Sequence, residues 1–212
     1  MYIILEGMPG TGKTTIANAL RERLHAVYMK SVISDTAFGD NMKQIRSENQ
    51  LRQLELLFLS DLAIDELRVI SLLKNGNVVR DKSLAAAIGH LSAHGFENTE
   101  TVIQKCLTLG YQQIMEYAVE PDLAVHIKAD MKKIYEHLPD KDDISDIDIM
   151  LLRNLELYKK QESEIEYCMR ELYQEKFFSI DSFSGSVGEM RDVILKKAEQ
   201  NAKRDRKKCF ID

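Results

Sequence analysis

The run Gly7-Met8-Pro9-Gly10-Thr11-Gly12-Lys13-Thr14-Thr15 follows directly on the strand-like Tyr2-Ile-Ile-Leu-Glu6 and precedes a helical pattern beginning Ile16-Ala-Asn-Ala-Leu20. Its spacing, G-x-x-x-x-G-K-[ST], is that of a phosphate-binding loop in the strand–loop–helix context such a loop requires. Few folds accept this arrangement. Closely approaching glycines turn backbone N–H groups toward phosphate oxygens, and the helix start adds the positive end of its dipole. The spacing predicts an ATP or GTP site across residues 7–15, with Lys13 on the β- and γ-phosphates and the Thr14 hydroxyl on Mg²⁺. Thr15 serves as a helper or as a helix-start residue. The glycines do not follow G-x-G-x-x-G, which disfavours a dinucleotide fold.

With 212 residues, 44% of them hydrophobic and 30% charged, the chain can build one domain around a substantial core. We expect that domain over residues 1–200 and a basic tail over 201–212, where Lys203-Arg-Asp-Arg-Lys-Lys208 reads as a solvated helix end. A net charge of −5 argues against a nucleic-acid partner, whose footprint would be broadly basic. Cys106, Cys168 and Cys209 are widely spaced and include no C-x-x-C pair, as expected for reduced thiols in a cytoplasmic protein. No leader pattern and no apolar run of membrane-spanning length is present, so neither export nor a membrane partner is expected. The five histidines show no metal-ligand spacing such as H-E-x-x-H.

Strand-like runs at Tyr2–Leu5, Ala26–Met29, Asn77–Arg80, Leu123–Ile127 and Lys176–Ile180 alternate with helical patterns. That alternation predicts an α/β fold with a five-stranded parallel sheet and helices on both faces. Residues Asn49–Leu73 carry a helical apolar stripe that Asn75-Gly76 stops, and Thr101–Val119 and Asp146–Glu175 read as two further long helices. The last has Ser145 as its candidate cap.

With the loop and the strand order in hand, the chain resembles the thymidylate kinase and deoxynucleoside kinase group of P-loop phosphotransferases over most of residues 1–185. The resemblance rests on Leu5-Glu6-Gly7, Thr36-Ala-Phe-Gly39-Asp-Asn-Met-Lys43, Leu56-Leu57-Phe58-Leu-Ser-Asp61-Leu62, Val78-Val79-Arg80-Asp81-Lys82-Ser83 and Pro121-Asp-Leu. It implies a three-layer P-loop kinase fold, ATP and Mg²⁺ as cofactors, and phosphoryl transfer to a nucleoside or nucleoside monophosphate. Glu6 is implied as the base for the acceptor hydroxyl or as an organiser of Mg²⁺ through water, and Asp81 as a metal-organising carboxylate beside Thr14. Lys43 and Phe58 fall where the group contacts the acceptor phosphate and base. Lys82 stands where the group has an arginine, and Arg80 is the alternative cation. A lid is implied around 138–150, and Ser182–Gly185 fall where the group runs against adenine. The group often forms homodimers through long helices, which makes Asn49–Leu73 and Thr101–Val119 candidate surfaces.

The chain also departs from the group. Lys43 keeps a charge but loses the bidentate fork of an arginine, Leu62 replaces an arginine near the base, and no arginine occurs from Met131 to Leu152. These departures disfavour thymidine monophosphate as the natural acceptor. They keep two alternatives open: a kinase of a non-nucleotide small molecule, and a nucleotide-binding regulatory module with little transfer activity.

Overall fold

The computed structural model describes residues 1–30, 62–93, 110, 112–114, 116–137, 146–182 and 184–208. Five strands, β1 (Tyr2–Glu6), β2 (Val27–Lys30), β3 (Val78–Asp81), β4 (Leu123–Lys128) and β5 (Phe177–Asp181), form one sheet in the order β2-β3-β1-β4-β5. Every pairing is parallel. The α/β expectation therefore holds, each strand lying within about a residue of its sequence-derived range. The helices among the described residues include α1 (Lys13–Leu24), α2 (residues 62–73), α3 (Leu84–Ala93), α4 (Met131–His137), α5 (Asp146–Arg153), α6 (Leu155–Tyr173) and α7 (Val187–Lys208). No helix among the described residues is long and apolar enough to cross a membrane.

Side-chain alternation divides the core into two layers. Ile3, Leu5, Val79, Val125 and Ile127 point to one face, where Ile16 and Leu20 of α1 and Met190, Ile194 and Ala198 of α7 cover them. Tyr2, Ile4, Val78 and Ala124 point to the other, against Val69 of α2 and Tyr158, Ile165 and Met169 of α6. Cover on both faces explains why Tyr2-Ile-Ile-Leu reads as an unbroken apolar run rather than an alternating one. Successive strands are laid to either side of β1, so the crevice at the carboxyl ends of β1, β3 and β4 is the binding position this topology offers.

One local expectation is corrected. The predicted helix Asp146–Glu175 is two helices, because the Asn154 side chain turns back to accept from the Leu157 amide at 3.1 Å and caps α6. The buried face of α2 is Leu62, Asp65, Glu66 and Val69, whereas Ile64 and Leu67 are exposed. Its acids turn inward because Arg80 of β3 lies beneath them, paired to Glu66 and 3.7 Å from Asp65. At the far end, Ser186 and Glu189 form a reciprocal capping box that starts α7, and that helix carries the basic residues from Lys203 to Lys208.

Candidate active site

The phosphate loop is tied into the core along its length. Met8 is 1% exposed within the layer under α6, and the Thr11 hydroxyl donates to the Met8 carbonyl at 2.9 Å. The Tyr158 hydroxyl of α6 reaches the Pro9 carbonyl at 3.4 Å. Gly7, Gly10 and Gly12 all have positive φ. Lys13 is buried and donates to the loop's own carbonyls, Gly7 O at 2.6 Å and Met8 O at 3.0 Å. Thr14 and Thr15 open the helix at exposed positions.

The two candidate carboxylates sit on neighbouring strand ends, since Leu5 pairs with Asp81, but they face opposite layers of the sheet. Glu6 is fully buried. Its Oε1 accepts from the Ser83 amide and from the Ser83 hydroxyl, the hydroxyl at 2.7 Å, and Tyr173 Oη donates to Ser83 Oγ at 3.0 Å. Glu6 Oε2 has no partner among the described residues. Burial pushes the carboxyl up to about 7; the two Ser83 hydrogen bonds work against burial and the charge of Asp81 adds to it.

A raised carboxyl pKa sets the sign of its pH dependence. Below about pH 4.5 the folded and unfolded chains both hold the proton and the contribution of Glu6 to stability is complete. It is lost as pH rises through about 7, an effect on the order of 3 kcal/mol. The Glu6→Gln variant, which cannot ionise, should therefore gain stability relative to the wild type between pH 4.5 and 8. Thermal melts of both proteins across that range test this, and a pH-independent difference would show that Glu6 does not titrate from a buried neutral form. Taking the difference also removes the opposing contribution of His126, whose imidazole burial pushes down to about 4.

Asp81 is held from the other side. Tyr28 Oη donates to Asp81 Oδ2 at 2.8 Å. Asp81 Oδ1 is buried without a partner among the described residues. A buried carboxylate oxygen without a partner among the described residues and the exposed Thr14 hydroxyl at the start of α1 are hard oxygen donors of the kind Mg²⁺ takes, and the residues present fit that ion. Lys82 is exposed at φ 69°, a left-handed conformation unusual for a non-glycine residue. Its amide donates to Leu5 O at 3.0 Å, and the turn there directs Asp81 toward α1 and Ser83 toward Glu6.

The structure thus gathers Glu6, residues 7–15, Asp81 and Lys82 at one end of the sheet. Arg80, the alternative cation, is a correction. It is 1% exposed, with Nη1 on Glu66 and on the Tyr2 hydroxyl, and is spent on packing α2 against β3 rather than on a ligand. Lys43, Phe58, Ser145 and residues 138–145 of the expected lid lie outside the described residues. Ser182, expected along the base, donates its amide to Lys128 O at 2.8 Å. Tyr28 and Ser83 bond the two candidate carboxylates and Tyr173 bonds Ser83, and the sequence reading gave none of them a role in the site. Ser83 carried a usable signal, its place in Asp81-Lys82-Ser83; the tyrosines read as ordinary strand and helix core.

Relatives share this architecture. The chain is 25% identical over 202 residues to a probable thymidylate kinase of Methanococcus maripaludis, with 92% of each chain covered. It is 28% identical over 199 residues to one of Methanocaldococcus jannaschii, covering 92% of this chain and 94% of the relative. Among solved structures, thymidylate kinase from Candida albicans superposes with a TM-score of 0.70 at 16% identity, over 95% of this chain and 92% of that one. Deoxyadenosine kinase from M. mycoides, solved with dCMP and dCDP bound, does so with a TM-score of 0.72 at 15% identity, over 94% of this chain and 100% of that one. The five-stranded parallel sheet, the loop between β1 and α1 and this likeness make the fold that of the P-loop kinases. The AAA domain family matches residues 3–150, from the first strand beyond β4, and the chain belongs to that family.

Proposed function

We propose that this protein is a kinase that moves the γ-phosphoryl group of ATP, with Mg²⁺, to a nucleoside monophosphate or nucleoside. The observation that carries the reading is the phosphate loop with Lys13 set beside two strand-end carboxylates, Glu6 and Asp81, in a chain whose relatives bear thymidylate kinase names. Phosphoryl transfer needs little covalent help from a protein, so positioning and charge do most of the work. Lys13 would exchange its loop carbonyls for the β- and γ-phosphate oxygens, and the loop amides would hold the same groups. Thr14 and Asp81 would hold Mg²⁺, which when bound neutralises charge building between the phosphates. Exposed Lys82 would meet the negative charge of the acceptor or of the transferring group.

Of the two roles open to Glu6, burial behind Ser83 supports ordering the site over direct contact with an acceptor hydroxyl. A phosphate acceptor presents an oxygen already ionised near neutral pH and needs no base, which favours a nucleoside monophosphate over a nucleoside. The test is ATP consumption with Mg²⁺ against nucleosides, nucleoside monophosphates and unrelated hydroxyl metabolites, with Lys13→Ala as the blank. Turnover stimulated by a monophosphate and absent from Lys13→Ala is the expected result. Nucleotide binding without stimulation by any acceptor would replace the kinase reading with a regulatory module.

A further inference from the structure

We infer that Tyr28 is a positioning residue for the divalent cation: its phenol fixes one oxygen of Asp81 at the end of β3 and holds that carboxylate in place before the ion arrives. The inference rests on the kinase reading and deepens it. Tyr28 lies on β2, which pairs with β3 so that Tyr28 stands opposite Val79, two residues before Asp81. From there the side chain reaches across to donate to Asp81 Oδ2 at 2.8 Å. The bond occupies one carboxylate oxygen and leaves the buried Oδ1 without a partner among the described residues. A metal site whose ligands are held in advance loses less freedom on binding the ion than one whose ligands must be gathered.

Tyr28→Phe removes the hydroxyl and keeps the ring. Two quantities separate positioning from general structural support: the affinity for a fluorescent ATP analogue in EDTA, and the Mg²⁺ concentration giving half of the metal-dependent gain in that affinity. The variant should bind the analogue in EDTA as the wild type does but need about tenfold more Mg²⁺, the size expected for losing one hydrogen bond. In an Asp81→Asn background the same substitution should leave the Mg²⁺ midpoint unmoved, a cycle that isolates the coupling even if the single variant melts lower. An unchanged midpoint would overturn the inference, and a lower midpoint would overturn it by making Tyr28 a competitor of the ion. If the wild type itself shows no Mg²⁺-dependent gain, it is the metal-dependent kinase reading that fails.

Discussion

Replacing Gly7 with alanine is expected to destabilise the fold by about 4 kcal/mol and to abolish nucleotide binding, summing the usual cost of overpacking with that of a forced backbone conformation. A β-carbon at this position would lie 2.3 Å from the Ile127 carbonyl oxygen and 2.9 Å from Thr11 Oγ1, at a φ of 150°. The Ile127 carbonyl belongs to the interior strand β4 and cannot swing aside as a side-chain tip would. The loop must therefore move, and its amides move with it. Gly12→Ala is the control, since nothing lies within 4 Å of its added carbon and only a φ of 80° opposes it. About 1 kcal/mol is expected there, with folding retained. Urea unfolding and binding of a fluorescent nucleotide compare the two, and equal losses would mean that backbone conformation alone, not the Ile127 contact, governs Gly7.

Arg80→Met should cost about 4 kcal/mol, because it leaves Glu66 buried without the cation it pairs with. The loss should come without any change in nucleotide affinity per folded molecule, since Arg80 faces α2 and not the loop. Adding Glu66→Leu to Arg80→Met should recover a large part of the stability by removing the stranded charge. Urea midpoints at constant m-value measure both effects. A nucleotide affinity that fell with Arg80→Met in the folded protein would return this residue to the site.

Much of the fold was legible in the chain because its signals act over short distances. Tyr2-Ile-Ile-Leu followed by three spaced glycines and Lys13 dictates a buried strand, a tight turn and a helix start whatever lies elsewhere. Asp81 was legible for a similar reason, standing at the end of an apolar strand where the phosphate loop must also lie. Asn154 was hidden because an asparagine amid helix-forming neighbours gives no warning that its side chain will cap rather than point outward. The polar face of α2 was hidden more deeply. Nothing in the chain near Asp65 and Glu66 shows that a buried arginine from another element lies under them.

Which elements form, in what order, and where phosphate should bind follow from residues within a turn or a strand of one another, where sterics and backbone hydrogen bonding dominate. How the site is tuned does not. The Tyr28–Asp81 hydrogen bond spans 53 residues and the Ser83–Glu6 pair 77, and each exists only because the sheet places β1 between β3 and β4 with β2 beyond β3. Partner and burial decide whether a carboxyl is charged, whether an arginine is exposed or packs, and whether a strand tyrosine is core or bonds a strand-end carboxylate. Both are properties of neighbours in space, and so they were settled by the tertiary structure alone.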